Sequence, residues 1–201
     1  MILFLKGMLT GLAIAAPVGP IGVLCIQRTL LYGRKAGFLT GLGAASADAV
    51  YGTAAALGLS VISAYMLTYG FWLQVAGALF LTYIGCRSLF LHSSAASAGP
   101  VPPRGGYGSG FLLTMANPLT ILSFTALLGA FGSAGNGLSS FLLVAGVFAG
   151  SAIWWAILSS AAGWFRNRLA ERHSPLISRI SGAILAGTGI LLLAGAVYDF
   201  T

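Results

Sequence analysis

An all-α integral membrane protein, with six transmembrane helices in two three-helix halves related as an inverted repeat, is the fold class this sequence predicts. Three observations predict it. First, 58% of the 201 residues are hydrophobic, 6% are charged, and the mean hydropathy is +0.94, whereas a soluble domain carries about 25% charged residues. Ten Lys and Arg with three Asp and Glu cannot clothe a soluble globule, and the apolar excess equally excludes a disordered chain. Second, the apolar residues form runs long enough to cross a hydrocarbon core of roughly 30 Å, which takes about 20 helical residues. These runs lack the period-two alternation of a membrane β-barrel. Third, the basic residues gather in alternate loops.

The first span covers residues 4–26. Its start imitates a secretory signal, with Lys6, an apolar run and Ala13-Ile14-Ala15. The run continues past Pro20 to Ile26 and ends in a basic loop, so it reads as a retained first helix. Arg28, Arg34 and Lys35 precede the second span at 38–62; an uncharged loop with Tyr65, Tyr69 and Trp72, an aromatic belt, precedes the third at 70–91. Residues 93–108, rich in Ser, Gly and Pro, read as a flexible cytoplasmic linker between a first repeat at 1–92 and a second at 109–201. Spans four to six follow at 109–131, 138–163 and 177–198, with Arg166, Arg168, Arg172 and Arg179 in or beside the last loop.

With Arg87 and Arg104 at the linker, nine of the ten basic residues lie on one side. The positive-inside rule assigns that side to the cytoplasm, placing loops 1, 3 and 5 inside and both termini outside. The net charge of +7 is then an orientation signal with some attraction to anionic lipid, and nucleic acid is not expected as a partner. Pairs such as Gly7/Gly11, Gly37/Gly41, Gly146/Gly150 and Ala183/Gly187 suit close helix packing in lipid.

Two halves of three helices have opposite orientations, as in inverted-repeat transporters. Pro17 and Pro118 lie 101 positions apart, and at that offset Gly7 matches Gly108 and Ala16 matches Asn117. Pro17, Gly19 and Pro20 should break the first span and aim a half-helix N-terminus at the membrane interior; a packing kink is the alternative. Asn117-Pro118 offers a milder break with an amide beside it. Asp48 is the carboxylate far from any helix end. A charge at that depth costs about 2.5–3.5 kcal/mol on insertion scales, and no basic residue lies at comparable depth to neutralise it. Asp48 is therefore a candidate proton carrier, or else a permanently neutral group that hydrogen-bonds a neighbouring helix. Counting back from the basic loops sets Pro17, Asp48 and Asn117 roughly 16–20 Å deep, so the three features meet near the midplane. Tyr51, Thr120 and Gln27 could line the same path, while Trp154 and Trp155 read as packing or lipid-facing residues. Cys25 and Cys86 read as small apolar side chains, and His92 and His173 receive no ligand role. No phosphate loop, Ser/His/Asp set or metal motif is present, so neither a cofactor nor an enzymatic activity is expected.

Pro17-Val18-Gly19-Pro20, Gly33, and Gly37-Phe38-Leu39-Thr40-Gly41-Leu42-Gly43 leading to Asp48 resemble the first half of the LysE/RhtB amino-acid exporters. Asn117-Pro118 resembles the signature of their second half. The resemblance implies a multi-pass exporter of amino acids or derivatives in the bacterial inner membrane, a proton antiporter, possible as a homodimer. It also puts Pro17, Gly19, Pro20, Asp48, Asn117 and Pro118 at the transport centre. Exporters of basic amino acids similar to this family often follow the first motif with Gln-Asn and carry an acidic residue after Asn-Pro. Here those places read Ile21-Gly22 and Leu119 to Ser123, which favours a neutral amino acid, its carboxylate at a half-helix N-terminus and its ammonium near Asp48. A metal-cation exporter is the alternative within transport. A membrane thiol-redox conduit is less favoured, because Cys25 and Cys86 do not fall at equivalent repeat positions.

Overall fold

The computed structural model describes residues 1–56, 60–90, 105–131 and 137–200, with side chains described except at 60–67, 118, 125, 127–131, 167–174 and 199–200. Most of the 93–108 stretch expected as a linker thus lies outside the described residues, and its last three residues differ from that expectation, because α5 already begins at Gly106. Among the described residues there are seven helices and no strand: α1 (Ile2–Ala15), α2 (Pro20–Tyr32), α3 (Arg34–Ala56), α4 (Ser60–Phe90), α5 (Gly106–Met115), α6 (Pro118–Phe131) and α7 (Gly137–Phe200).

The helix ends follow from Pro and Gly. α1 ends at Ala15; Ala16 keeps helical geometry and donates its N–H to the Leu12 carbonyl at 2.9 Å, but Pro17 has no N–H with which to continue the ladder. α2 restarts with Pro20 at its first position, where a missing N–H costs nothing, and the two helices bend by 82°. Gly33 at φ 95° closes α2 directly onto α3, a conformation that a side chain would strain. α5 ends at Met115, and α6 restarts with Pro118 after a two-residue interruption.

Among the described residues three segments are long and apolar enough to cross a membrane: Thr68–Phe90 of α4, and the limbs Gly137–Arg166 and Pro175–Tyr198 of α7. The bent pair of α1 and α2 makes a fourth if taken as one span. α3 has 23 residues, but Arg34, Lys35, Asp48 and many small residues lower its hydropathy. α5 and α6 have 10 and 14 residues, each short of a crossing.

The two limbs of α7 fold back on each other. Pro20 and Ile21 line one cavity with Trp155 and a second, small one with Leu192. A straight helix would separate Trp155 from Leu192 by about 55 Å. The core between them gathers Leu24, Cys25, Ala44, Leu113, Trp155 and Leu185.

Besides the seam that sets Gly85 of α4 against the backbone of Ala186 in the second limb of α7, two seams of backbone-to-backbone contact frame the site. In the first, α1 lies on the first limb of α7. A Cβ at Gly7 or Gly11 would strike the carbonyl oxygen of Leu143 or Val147, and one at Gly146 or Gly150 that of Phe4 or Met8. In the second, α5 lies on α3. A Cβ at Gly43 would strike the carbonyl oxygen of Tyr107, and one at Gly110 that of Thr40. Small residues thus bring backbones to distances that no larger side chain permits, which is how helices associate tightly in lipid.

Candidate functional site

The interruptions in the two broken helices face one cavity. It has a volume of about 260 Å³ and is lined by Pro17, Gly19 and Pro20 from the first break, by Asn117, Leu119 and Thr120 from the second, and by Asp48 from α3. Breaking a helix leaves backbone groups without intrahelical partners. At the first break the chain resolves part of this with a tight turn, in which the Gly19 N–H donates to the Pro17 carbonyl at 2.9 Å. The N–H of Val23 then opens α2 by donating to the Gly19 carbonyl at 3.1 Å. Ile21 and Gly22, the next residues of α2, line the cavity, so the positive end of the α2 dipole lies at its wall. At the second break Asn117 caps α6: its Oδ1 accepts the Leu119 N–H at 3.1 Å. Both half-helices therefore begin at the cavity.

Asp48 reaches the cavity from the middle of α3 and is only 3% exposed. The Ser151 hydroxyl on the first limb of α7 donates to Asp48 Oδ2 at 2.6 Å. No ion pair to Asp48 occurs among the described residues, and no group of three or more His, Cys, Asp or Glu able to hold a metal is found there. The remaining wall is mostly apolar (Ile14, Ile21, Ala44, Trp155), with the hydroxyls of Thr114, Thr120 and Ser123 at intervals. A few polar groups converging in an apolar cleft are the usual form of a small-molecule site.

Of the residues singled out in the sequence, Pro17, Gly19, Pro20, Asp48, Asn117 and Thr120 are brought together around this cavity. Pro118 begins α6, and its side chain lies outside the described residues. Tyr51 stands apart. Its hydroxyl donates to the Met115 carbonyl at the end of α5, its ring stacks on Phe124 at 5.6 Å, and it does not line the cavity. It thereby satisfies a carbonyl freed by the second break. Gln27 also lies elsewhere. It donates to Ser88, which donates to the Ser178 carbonyl at 3.0 Å, tying α2, α4 and the second limb of α7. Cys25 is buried and donates to the Gly37 carbonyl at 3.4 Å.

Four contributors were not singled out for the site: Thr114, Ser123, Trp155 and Ser151. The Trp155 ring fits because Gly41 has no side chain; a Cβ there would collide with it. A fifth residue took an unexpected role. Arg28, read as a loop charge, is buried at 7% exposure. Its Nη1 donates to Thr40 Oγ1 at 2.8 Å, Ser109 Oγ at 2.6 Å and the Gly106 carbonyl at 3.0 Å. It fastens α2 to α3 and α5 at the end of the bundle where exposed Arg34 and Lys35 begin α3.

Comparison with known proteins gives a consistent result. The LysE type translocator family model matches residues 12–196. The chain is 30% identical over 199 residues to "Putative amino acid efflux protein YcgF" of Bacillus subtilis, covering 94% of this chain and 92% of that protein. It is 28% identical over 186 residues to "Uncharacterized membrane protein YrhP" of the same organism, covering 84% and 87%. It is 27% identical over 199 residues to "Chemotactic transduction protein ChpE" of Pseudomonas aeruginosa, covering 95% and 94%. No solved structure matches the chain.

Proposed function

The chain belongs to the LysE type translocators, and on that premise we propose that it is a secondary active transporter exporting neutral amino acids or their derivatives in exchange for protons. The observation that carries this reading is the single cavity where both helix breaks and Asp48 meet. A zwitterionic amino acid fits its electrostatics. The carboxylate lies at the N-terminal end of α2 or α6, where backbone N–H groups and the helix dipole favour negative charge. The ammonium lies toward Asp48, and the side chain rests on Ile14, Ile21 and Trp155. One carboxylate serves one cation, so a second cationic group on the substrate would find no partner in the described wall.

Proton coupling follows from competition at Asp48. With the carboxylate charged, the substrate ammonium binds; with the carboxyl protonated, that attraction is gone and the substrate leaves. A proton entering from outside thus replaces the substrate on the way back.

The architecture proposed for this cycle is six spans in two inverted three-helix repeats, the first over 1–92 and the second opening with α5 at Gly106. Loops 1, 3 and 5 face the cytoplasm of a bacterial inner membrane and both termini face outward, with nine basic residues on the inner side. The glycine seams support the repeat. Gly7 meets Leu143 as Gly110 meets Thr40, and Gly146 meets Phe4 as Gly43 meets Tyr107. Each exchange carries a residue 103 positions forward and its partner 103 back. Two unrelated helix pairs have no reason to share one constant offset; two copies of a repeat do.

The test is counterflow in proteoliposomes with a panel of labelled amino acids under an imposed pH gradient. Neutral amino acids should exchange, and Asp48→Asn should abolish the proton-driven component. A folded protein that moves no amino acid would end the reading, and an unchanged pH dependence in Asp48→Asn would take Asp48 out of the mechanism.

A further inference from the structure

Asp48 and Ser151 are themselves 103 positions apart. The operation that exchanges the glycine seams therefore carries Asp48 onto Ser151 and Ser151 onto Asp48. A pair that maps onto itself lies on the axis relating the halves, and the 2.6 Å hydrogen bond from Ser151 to Asp48 is the contact made there. We propose that Asp48 and Ser151 form one two-residue carboxylate site on this axis, and that the carboxylate can work from position 151 as it does from position 48. The inference deepens the export reading and rests on it.

The two positions are matched in environment as well as in register. Each is buried in the middle of a helix, Asp48 at 3% exposure and Ser151 at 0%. Each lies five residues beyond the seam glycine of its own helix, Gly43 for Asp48 and Gly146 for Ser151. The groups around the pair do not distinguish the two sides by charge. The lining residues of α1, α2, α5 and α6 are not ionisable, the first limb of α7 contributes Trp155, and α3 itself adds the phenol of Tyr51 one turn away.

Ser151 has a positioning role in this site. A hydroxyl donates to a carboxylate and, after rotating, accepts from a carboxylic acid. It can hold the carboxyl in one place in both protonation states while the substrate ammonium and the proton exchange on it. An axial position also suits alternating access, because inverted repeats exchange conformations about that axis. The carboxylate then keeps the same surroundings whichever side is open.

The experiment relocates the charge. Wild type, Asp48→Ser, the exchange Asp48→Ser with Ser151→Asp, and Ser151→Ala are compared by counterflow and by the pH dependence of exchange. Asp48→Ser should lose at least about 100-fold, since a positioned proton-transfer group typically supplies that much. The exchange variant should recover to within about tenfold of wild type. Ser151→Ala should move the midpoint of the pH dependence of exchange by about one unit, the size expected for a lost hydrogen bond to a charged group. A folded exchange variant as inactive as Asp48→Ser overturns the proposal, and so does an Asp48→Ser protein that still transports. If the exchange variant does not fold, Ser151→Ala decides: a displaced midpoint upholds the shared site, and an unmoved one overturns it. A wild type that moves no amino acid removes the export reading and this inference together, whereas an active wild type with a silent exchange variant removes the inference alone.

Discussion

The two seams bring backbones equally close and are held by different chemistry. Where α1 meets the first limb of α7, four glycines face four carbonyls, and no side-chain hydrogen bond crosses among the described residues. Where α5 meets α3, two glycines do this work and hydrogen bonds do the rest. Arg28 reaches Thr40, Ser109 and Gly106 at one end, and Tyr51 reaches Met115 at the other. The difference is one of reversibility. A dry glycine seam loses its packing wherever it opens and gains nothing, since separated helices in lipid find only acyl chains. A hydrogen-bonded seam can exchange its partners for water at modest net cost. The α3·α5 seam is therefore the more readily hydrated of the two, and the α1·α7 seam the one that depends on packing alone.

Filling the dry seam should have the largest effect. Gly146→Val places a branched side chain against the Phe4 carbonyl and should lower stability by about 3 kcal/mol or more, at the upper end of overpacking costs. Loss of a monodisperse species in detergent is the readout. Gly187→Ala, with nothing within 4 Å of its Cβ position, should leave the thermal midpoint unchanged. If both substitutions are tolerated, the close approach in α1·α7 is not holding the fold.

Cutting the polar fastening comes next. Arg28→Met removes three hydrogen bonds from one charged nitrogen and should cost about 2 kcal/mol, allowing for the relief of a buried charge. Thr40 and Ser109 keep their own bonds to the Ala36, Gly105 and Gly106 carbonyls, so the seam should loosen without leaving orphaned hydroxyls. A cysteine introduced at Ser109 should become more reactive to a water-soluble maleimide in the Arg28→Met background. Unaltered labelling there would make Arg28 a packing residue only.

The smallest effect belongs to Tyr51→Phe. It keeps the ring stacked on Phe124 and removes the one bond to the Met115 carbonyl, worth about 1 kcal/mol. A thermal melt would detect it. An effect on transport far exceeding the effect on stability would show that the hydroxyl acts on the substrate rather than on the helix end.

Much of this site was legible in the residues because its parts are costly in lipid. Two prolines around a glycine, an Asn-Pro step and an unneutralised Asp each demand an explanation, and counting rise per residue set them at one depth. The cavity joins these same features. Ser151 was hidden for the opposite reason. A serine in a membrane helix is ordinary, and only a partner reveals it. Matching Pro17 to Pro118 fixes the offset at 101, which points from Asp48 to Ala149. The seams fix it at 103, and two residues turn a helix by about 200°. In the proposed repeat, register is carried by regular helices and is lost across the irregular breaks, which run over 16–19 and 116–117 and so differ in length. Arg28 was misplaced because a charge near the end of an apolar run looks like a loop marker. α2 runs on to Tyr32 before Gly33 turns the chain, so Arg28 is inside a helix. The Thr40 and Ser109 hydroxyls that receive it lie 12 and 81 residues away.

The five-residue interval between each seam glycine and its axial residue also acts as a phase lock. Gly43 fixes the rotation of α3 by where it must touch, and Asp48 inherits that angle through little more than one helical turn. One residue inserted between them would advance the carboxyl by about 100° and 1.5 Å, swinging it off Ser151. Length variation in this chain should therefore be forbidden within these two short intervals, a constraint on indels that no single substitution would expose.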